Sequence, residues 1–239
     1  VVGVAKYLPA HAGLNLLMEV KNLSVIQKNP KRPLVVIIGG AKISTKTPVI
    51  KQYLPKAKHV LLGGGVVTNL LRASGCKVGS SMVDEAGVRA AKQLLKYFGK
   101  KICKPVDLVI GDTKTFRKVK TVNIDEACSV LCQKGRAIYD IGPETVKEYK
   151  KRLQGAKTII WNGPLGLVEV LAFSRATNEI ALAMARSRAK TYVGGGETLM
   201  VVNRLGLTQK FTFVSTGGGA MLKFLEGKKL PGLKILLKK

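Results

Sequence analysis

Short runs of consecutive apolar residues alternate along this chain with longer stretches of helical spacing. Residues 34–38 read L-V-V-I-I without a polar interruption, which predicts a strand covered on both faces. Similar runs at 60–62, 106–110, 158–161, 191–193 and 211–214 predict five more strands. Between them, residues 14–27 carry Leu14, Leu16, Leu17, Val20 and Leu23 near the helical period. Further helices are expected over 66–73, 84–98, 124–132, 143–153, 171–186, 197–204 and 220–226, and over 44–54 with an interruption near Pro48. Pro143 sits where a helix start favours proline.

Strands alternating with helices imply right-handed crossovers and a doubly wound α/β fold. The expected architecture is a Rossmann-like parallel sheet of about six strands with helices on both faces. Residues 1–13 are read as a linker that begins extended, 14–239 as one domain, and residues from Leu230 onward as a short basic tail. No apolar run reaches the roughly 18–20 residues of a membrane-spanning helix. The chain begins with Val1 and not Met, so it is read as processed or truncated.

Several predicted strands end in glycine. Thr191–Met200 reads T-Y-V-G-G-G-E-T-L-M, a strand followed by a tight turn and a helix start. Gly39-Gly40, Gly63–Gly65 and Gly217–Gly219 repeat the arrangement. A helix start converges free N–H groups and the positive dipole end, which suits an anion. One such turn equally suits a tight bend with no ligand; four at one sheet edge suggest a polyphosphate site. Lys42 and Lys46, spaced i,i+4 after Gly40, are expected to set two ammonium groups on one helical face there, or to be solvated surface. Glu197 and Thr198 open the helix after Gly196: the hydroxyl can bond phosphate and the carboxylate can hold Mg²⁺, or both can simply cap the helix. The G-x-x-x-x-G-K-[ST] and G-x-G-x-x-G patterns are absent.

Charge changes the picture. Lys and Arg number 41 against 14 Asp and Glu, a net +27, and such a field favours polyanions. The basic residues are spread along the chain and are not gathered in a tail. Any single cluster is well explained as a solvated face; the total is not. Aromatic residues make up only 5%, so RNA contact is expected at phosphates and not at bases. Cys76, Cys103, Cys128 and Cys132 form no disulfide or zinc pattern and are expected to be free thiols. His11 and His59 are expected to be structural or surface residues.

Six segments stand in an order that resembles a known family. They are G-G-A-K-I-S-T-K from Gly39, G-G-G from Gly63, W-N-G-P-L-G from Trp161 with Glu169, G-G-G-E-T from Gly194, S-T-G-G-G-A from Ser215, and L-E-G-K-x-L-P-G from Leu225. Together they resemble the C-terminal, nucleotide-binding domain of phosphoglycerate kinase, over essentially the whole chain. The Ser44-Thr45 and Asp140–Pro143 variants look more like the bacterial and plastid branch. The resemblance implies that Gly40, Gly63, Gly64, Gly65 and Pro164 line an adenine pocket of ADP or ATP and that Glu169 bonds the ribose. It implies that Lys46 and Thr198 hold the phosphates. Lys42, Asn162 and the turns at Gly195, Gly196, Gly218 and Gly219 would stabilise the transferring phosphoryl group. Glu197 stands where the family holds Mg²⁺ with an aspartate.

The departures from the family pattern matter as much. The family's phosphoglycerate-binding N-terminal domain is absent from these 239 residues. The usual S-L-E after the last glycines is Met221-Leu222-Lys223, and the usual G-W-M-G-L-D is Gly135–Asp140 with Arg136, Ala137, Ile138 and Tyr139 between. Val66 replaces the usual methionine. Two readings follow. The first is a non-catalytic, basic structural subunit of a large RNA-containing assembly, an organellar ribosome, contacting RNA phosphates and neighbouring proteins and keeping residual ADP or ATP binding. The second is the nucleotide-binding half of an active phosphoglycerate kinase. An intracellular, organellar location is expected: a mitochondrion first, a plastid or glycosome otherwise.

Overall fold

The computed structural model describes residues 2–97, 99–130 and 135–236. In chain order the elements are α1 (Leu14–Lys28), β1 (Leu34–Ile38), α2 (Thr47–Tyr53), β2 (His59–Leu62), α3 (Gly64–Ala73) and α4 (Glu85–Lys92). β3 (Ile102–Cys103), β4 (Asp107–Asp112), β5 (Lys120–Asn123), α5 (Ile124–Val130), β6 (Arg136–Ile141) and α6 (Pro143–Leu153) follow. The chain closes with β7 (Thr158–Asn162), α7 (Arg175–Ala185), β8 (Lys190–Gly194), α8 (Gly196–Arg204), β9 (Phe213–Ser215), α9 (Gly219–Leu225) and α10 (Pro231–Leu236).

Six strands form the main sheet in the order β3-β2-β1-β7-β8-β9, every pair parallel. The expected doubly wound three-layer fold is therefore present. β1 and β7 lie at its centre, and all ten of their residues are buried, as continuous apolar runs require when helices cover both faces. Trp161 on β7 is fully buried and donates its indole N–H to the Gly163 carbonyl at 2.8 Å. Tyr149 of α6 is equally buried; its hydroxyl donates to the Leu62 carbonyl at 2.8 Å and accepts from the Leu62 amide at 3.3 Å. Tyr149→Phe leaves the end of β2 short of both bonds. The expected loss of stability is about 1–3 kcal/mol, read as a lowered midpoint in urea denaturation.

The sixth strand is not the one the apolar pattern indicated. The run at 106–110 forms β4 of a separate antiparallel sheet, β5-β4-β6. The main sheet is completed by β3, two residues inside a Lys-rich stretch that reads as a loop. A two-residue edge strand has no room for a periodic signal. The small sheet is tied to the main layers by carboxylates that cap helices. Asp107 accepts from the Glu144 and Thr145 amides at 3.1 and 2.8 Å at the start of α6. Asp140 accepts from the Ala176 amide at 3.0 Å at the start of α7.

Other boundaries differ locally. Pro48 does not interrupt a helix; it opens α2, where its missing N–H costs nothing. The 84–98 helix ends at Lys92 and passes into a 3-10 turn, and the 171–186 helix likewise begins as a 3-10 turn before α7. The extended start predicted for the linker is instead a helical Gly3 and a 3-10 turn at Val4–Lys6, and the predicted tail contains α10. Residues 131–132 of the predicted 124–132 helix lie outside the described residues. Cys76 is disulfide-bonded, which corrects the expectation of a free thiol there, whereas Cys103 is free. Cys132 and the Cys128 side chain lie outside what the structure describes. Among the described residues no helix is long and apolar enough to cross a membrane.

Candidate functional site

The strand ends are in register. Ile38 pairs with Leu62 and with Asn162, Asn162 with Gly194, and Gly194 with Ser215. Every glycine turn therefore leaves the sheet along one line, at the carboxyl edge where open α/β sheets bind ligands. Beside that line runs a cleft of about 390 Å³. Gly40, Gly64, Gly65, Pro164, Glu169 and Glu197 line one side. Phe116, Ile138 and Tyr139 from the small sheet and its loop line the other.

The glycines divide into two kinds. Around the first two turns they serve close chain packing. A Cβ on Gly39 would stand 1.9 Å from the Pro164 carbonyl oxygen, and one on Gly63 2.5 Å from Leu165 Cδ2. The Gly40 and Gly64 amides are already used, donating to the carbonyls of Pro164 at 2.8 Å and Leu165 at 2.7 Å. These turns shape the cleft, and neither of those two amides is left for phosphate. Gly63 is buried behind it. Around the last two turns, positions 196, 218 and 219 face open space. Gly195 stands at φ +101° ahead of α8, a conformation that side chains other than glycine rarely adopt.

Lys42 and Lys46 do not share a helical face. Residues 42–46 form a turn ahead of α2, so Lys42 stays exposed while Lys46, at the helix cap, folds inward. The Lys46 ammonium donates to Asn162 Oδ1. Burial lowers its pKa, opposed by the nearby Glu197 carboxylate. Asn162 is buried at the end of β7, and its Nδ2 lies 3.9 Å from the Met221 sulfur and close beneath Gly195. Met221 fills the space beneath the turn, since a Cβ on Gly194 would stand 2.3 Å from its Sδ.

Thr198, in the first turn of α8, is fully buried, and its Oγ1 has no hydrogen-bond partner among the described residues. It lies 3.6 Å from the position a Cβ on Gly195 would take. A buried hydroxyl left unmatched is uncommon and fits a site that receives an acceptor. Glu197 and Glu169 are exposed at the cleft. Among the described residues no group of three or more His, Cys, Asp or Glu could hold a metal ion by itself. One carboxylate fits Mg²⁺ only as a partner to nucleotide phosphates, which is how that ion is commonly held.

Sequence reasoning missed two contributors. Tyr139 stacks on Phe173 with ring centroids 4.6 Å apart, and Phe116 meets Tyr139 edge-on at 5.4 Å, so an aromatic wall faces the glycines. Tyr139 and Phe116 come from a sheet the apolar pattern did not separate and from its loop, and Phe173 from the 3-10 turn before α7. Glu19 of α1 accepts from the Ser215 hydroxyl and the Thr216 amide, both at 2.7 Å. It fixes the last glycine turn from 196 residues away in sequence, and no local signal announces that.

A family model described as phosphoglycerate kinase matches residues 1–228. The chain belongs to the phosphoglycerate kinase family. It is 42% identical over 240 residues to the phosphoglycerate kinase of Leptospira biflexa, covering 99% of this chain and 60% of that protein. The Thermosipho africanus enzyme is 41% identical over 245 residues, again with 60% of its length covered. The fold matches the solved phosphoglycerate kinase of Coxiella burnetii with a TM-score of 0.85 at 40% identity, over 98% of this chain and 61% of that one. The Pyrococcus horikoshii structure gives 0.83 at 30%, over 98% and 59%. The chain thus spans about 60% of the length of the curated relatives it matches and corresponds to their C-terminal part.

Proposed function

We propose that this chain is the nucleotide-binding part of a phosphoglycerate kinase, holding ADP or ATP at the carboxyl edge of its sheet. The observation that carries the reading is the unpartnered, buried Thr198 hydroxyl beside the Gly195-Gly196 turn, with the part-buried Lys46–Asn162 hydrogen bond beside it. In this reading the aromatic wall and the packed glycines receive the base, and Glu169 at the cleft rim takes the ribose hydroxyls. Thr198, Lys46 and the start of α8 hold the phosphates. Mg²⁺, when bound with the nucleotide, supplies charge neutralisation, and Glu197 is the carboxylate placed to hold it. Lys42, exposed at the same edge, is free to meet the phosphoryl group as it transfers. Phosphoryl transfer needs little more from a protein than such positioning and fixed positive charge. The transfer from 1,3-bisphosphoglycerate to ADP requires the part of the enzyme that binds phosphoglycerate.

Calorimetric titration of ADP into the chain tests this reading. A saturable heat is expected, and Thr198→Val should weaken binding roughly 5- to 10-fold, the worth of about 1 kcal/mol for one neutral hydrogen bond. No heat at millimolar ADP, or an unchanged affinity in the variant, would count against the site.

A second reading has one observation behind it, the surplus of 41 basic over 14 acidic residues. Such a chain suits a basic subunit of an RNA-containing assembly, held by phosphate contacts whose strength falls with salt.

A further inference from the structure

The surplus charge has a location. In a parallel sheet every strand begins at the edge opposite the nucleotide cleft, and the helices of the crossovers end there. Lys100, Lys58, Lys31, Lys157, Lys190 and Lys210 stand in that spatial order, one at the start of each strand from β3 across to β9. All six are exposed. A main-chain bond holds two neighbours of the row level, the Lys190 amide donating to the Lys157 carbonyl at 2.9 Å, and the Lys58 amide donates to the carbonyl of Leu34, the first residue of β1, at 2.8 Å. Strands about 4.8 Å apart make the row roughly 24 Å long.

Helix C-termini attract cations, and two nearby lysines have that local task. Lys101 donates to the Leu54 and Pro55 carbonyls, and Lys56 to the Gln27 carbonyl. The six row lysines make no such side-chain bond, and none pairs with a described carboxylate. A helix end carries on the order of half a negative charge, yet α6 alone ends in Lys150, Lys151 and Arg152. The segments leading into the six strands contain no Asp or Glu. Glu148, which lines a hollow with Lys58, and Glu179, which lines the basin with Lys157, are already bonded to Lys151 and to Lys150 and Arg175. Between the ends of α6 and α7 the edge dips into this basin of about 650 Å³, whose lining includes Lys157, Arg186 and Arg188 together with Glu179, Leu153 and Leu182. His59, at the start of β2, has its pKa lowered by burial and then by the charges of Arg152 and Lys58.

We propose that this amino edge of the sheet binds the phosphodiester backbone of a nucleic acid. The inference deepens the second reading above and does not depend on the nucleotide site. A row of roughly 24 Å matches the axial rise of about seven base pairs of a duplex at ~3.4 Å each, long enough to meet several phosphates. A protein partner would call for an apolar or aromatic centre, and a membrane for apolar side chains to insert. The apolar side chains at this edge are few, chiefly Leu153, Ala156, Leu182 and Ala183 of the basin, all buried or half-buried, and most of the exposed large apolar side chains among the described residues lie on α1 and the segment before it.

The test uses Lys58→Gln, Lys157→Gln and Lys190→Gln together, with Lys77→Gln, Lys114→Gln and Lys120→Gln as a charge-matched control. Fluorescence anisotropy with a labelled RNA oligonucleotide, its DNA equivalent and an RNA duplex is read across a salt series. The row variant should bind roughly tenfold or more weakly at low salt. Its slope of log K against log salt should fall by about 2, three lost contacts at ~0.7 each. The control should keep the parental slope. Equal affinity for RNA and DNA supports contact with phosphates alone; a preference for RNA adds contact with the 2′-hydroxyl. Equal losses in both variants, an unchanged slope, or tighter binding to phosphatidylserine vesicles or polyglutamate than to RNA would overturn the proposal. ADP affinity and the melting temperature, both expected to be unchanged in the row variant, report folding. Should the parent bind no ADP, the melting temperature alone serves, so the two readings fail separately.

Discussion

Lys46→Met is expected to weaken ADP binding by about 10- to 100-fold, the largest single effect at the cleft. A hydrogen bond to a charged group is worth about 1.5–3 kcal/mol, and 1.4 kcal/mol is a factor of ten. Lys46 is suited to such a contact because it is held and not free. It is half-buried, bonded to Asn162 Oδ1 and faced by Glu197. Little side-chain entropy is then lost when phosphate arrives. Methionine keeps the length and loses the charge. It also leaves Asn162 Oδ1 buried without its donor, so the nucleotide-free variant should lose about 1–3 kcal/mol of stability. Lys46→Arg should not restore binding, because a planar guanidinium does not replace a compact ammonium in a packed site. Calorimetric titration reads the affinity, and urea denaturation reads the stability. An affinity within twofold of the parent would mean that Lys46 only supports Asn162.

Asp140→Asn should stabilise the protein at pH 8 and leave it nearly unchanged near pH 4. Burial pushes the Asp140 carboxyl up to about 7, against the lowering effect of the Ala176 and Ile141 amides. The sign follows from linkage. An acid whose folded pKa lies above its unfolded value binds a proton more tightly when folded. Its ionisation therefore costs stability progressively as pH rises from about 4 to about 7, and the cost is constant above that. Three pKa units correspond to about 4 kcal/mol at most. Asparagine keeps an oxygen for the α7 amide and carries no charge. The parent's melting temperature should fall across that window relative to the variant's, with the gap constant above about pH 8. Parallel curves from pH 4 to 8 would show that Asp140 is solvated enough to ionise freely. Asp140 also lines the cleft, so the same titration should leave the ADP affinity of the variant less dependent on pH than that of the parent.

The two predictions draw on different kinds of information. Lys46, Asn162 and Thr198 stand in motifs that the chain displays openly, because glycine turns at strand ends leave a local trace. That Lys46 turns inward while Lys42 stays out is not local. It depends on a turn at 42–46 and on β7 lying next to β1, which brings Asn162 to Lys46 across 116 residues of sequence. Asp140 gives no local sign of its environment. Its desolvation comes from α7 and from a small antiparallel sheet, of which β4 reads as a strand of the main sheet and β5 and β6 are not predicted by the apolar pattern.

The sequence by itself determined the class of fold, since unbroken apolar runs such as 34–38 can only be buried on both faces. It also determined the family, since six motifs in order leave little freedom, and it set the overall charge. Only the tertiary structure decided which glycines pack and which stay open, because that depends on how closely two turns approach. It placed β3 at the edge of the main sheet, where pairing with β2 and not periodicity makes a strand. It also gathered lysines from six separate segments into one row, because parallel strands start at the same edge however far apart they lie in the chain.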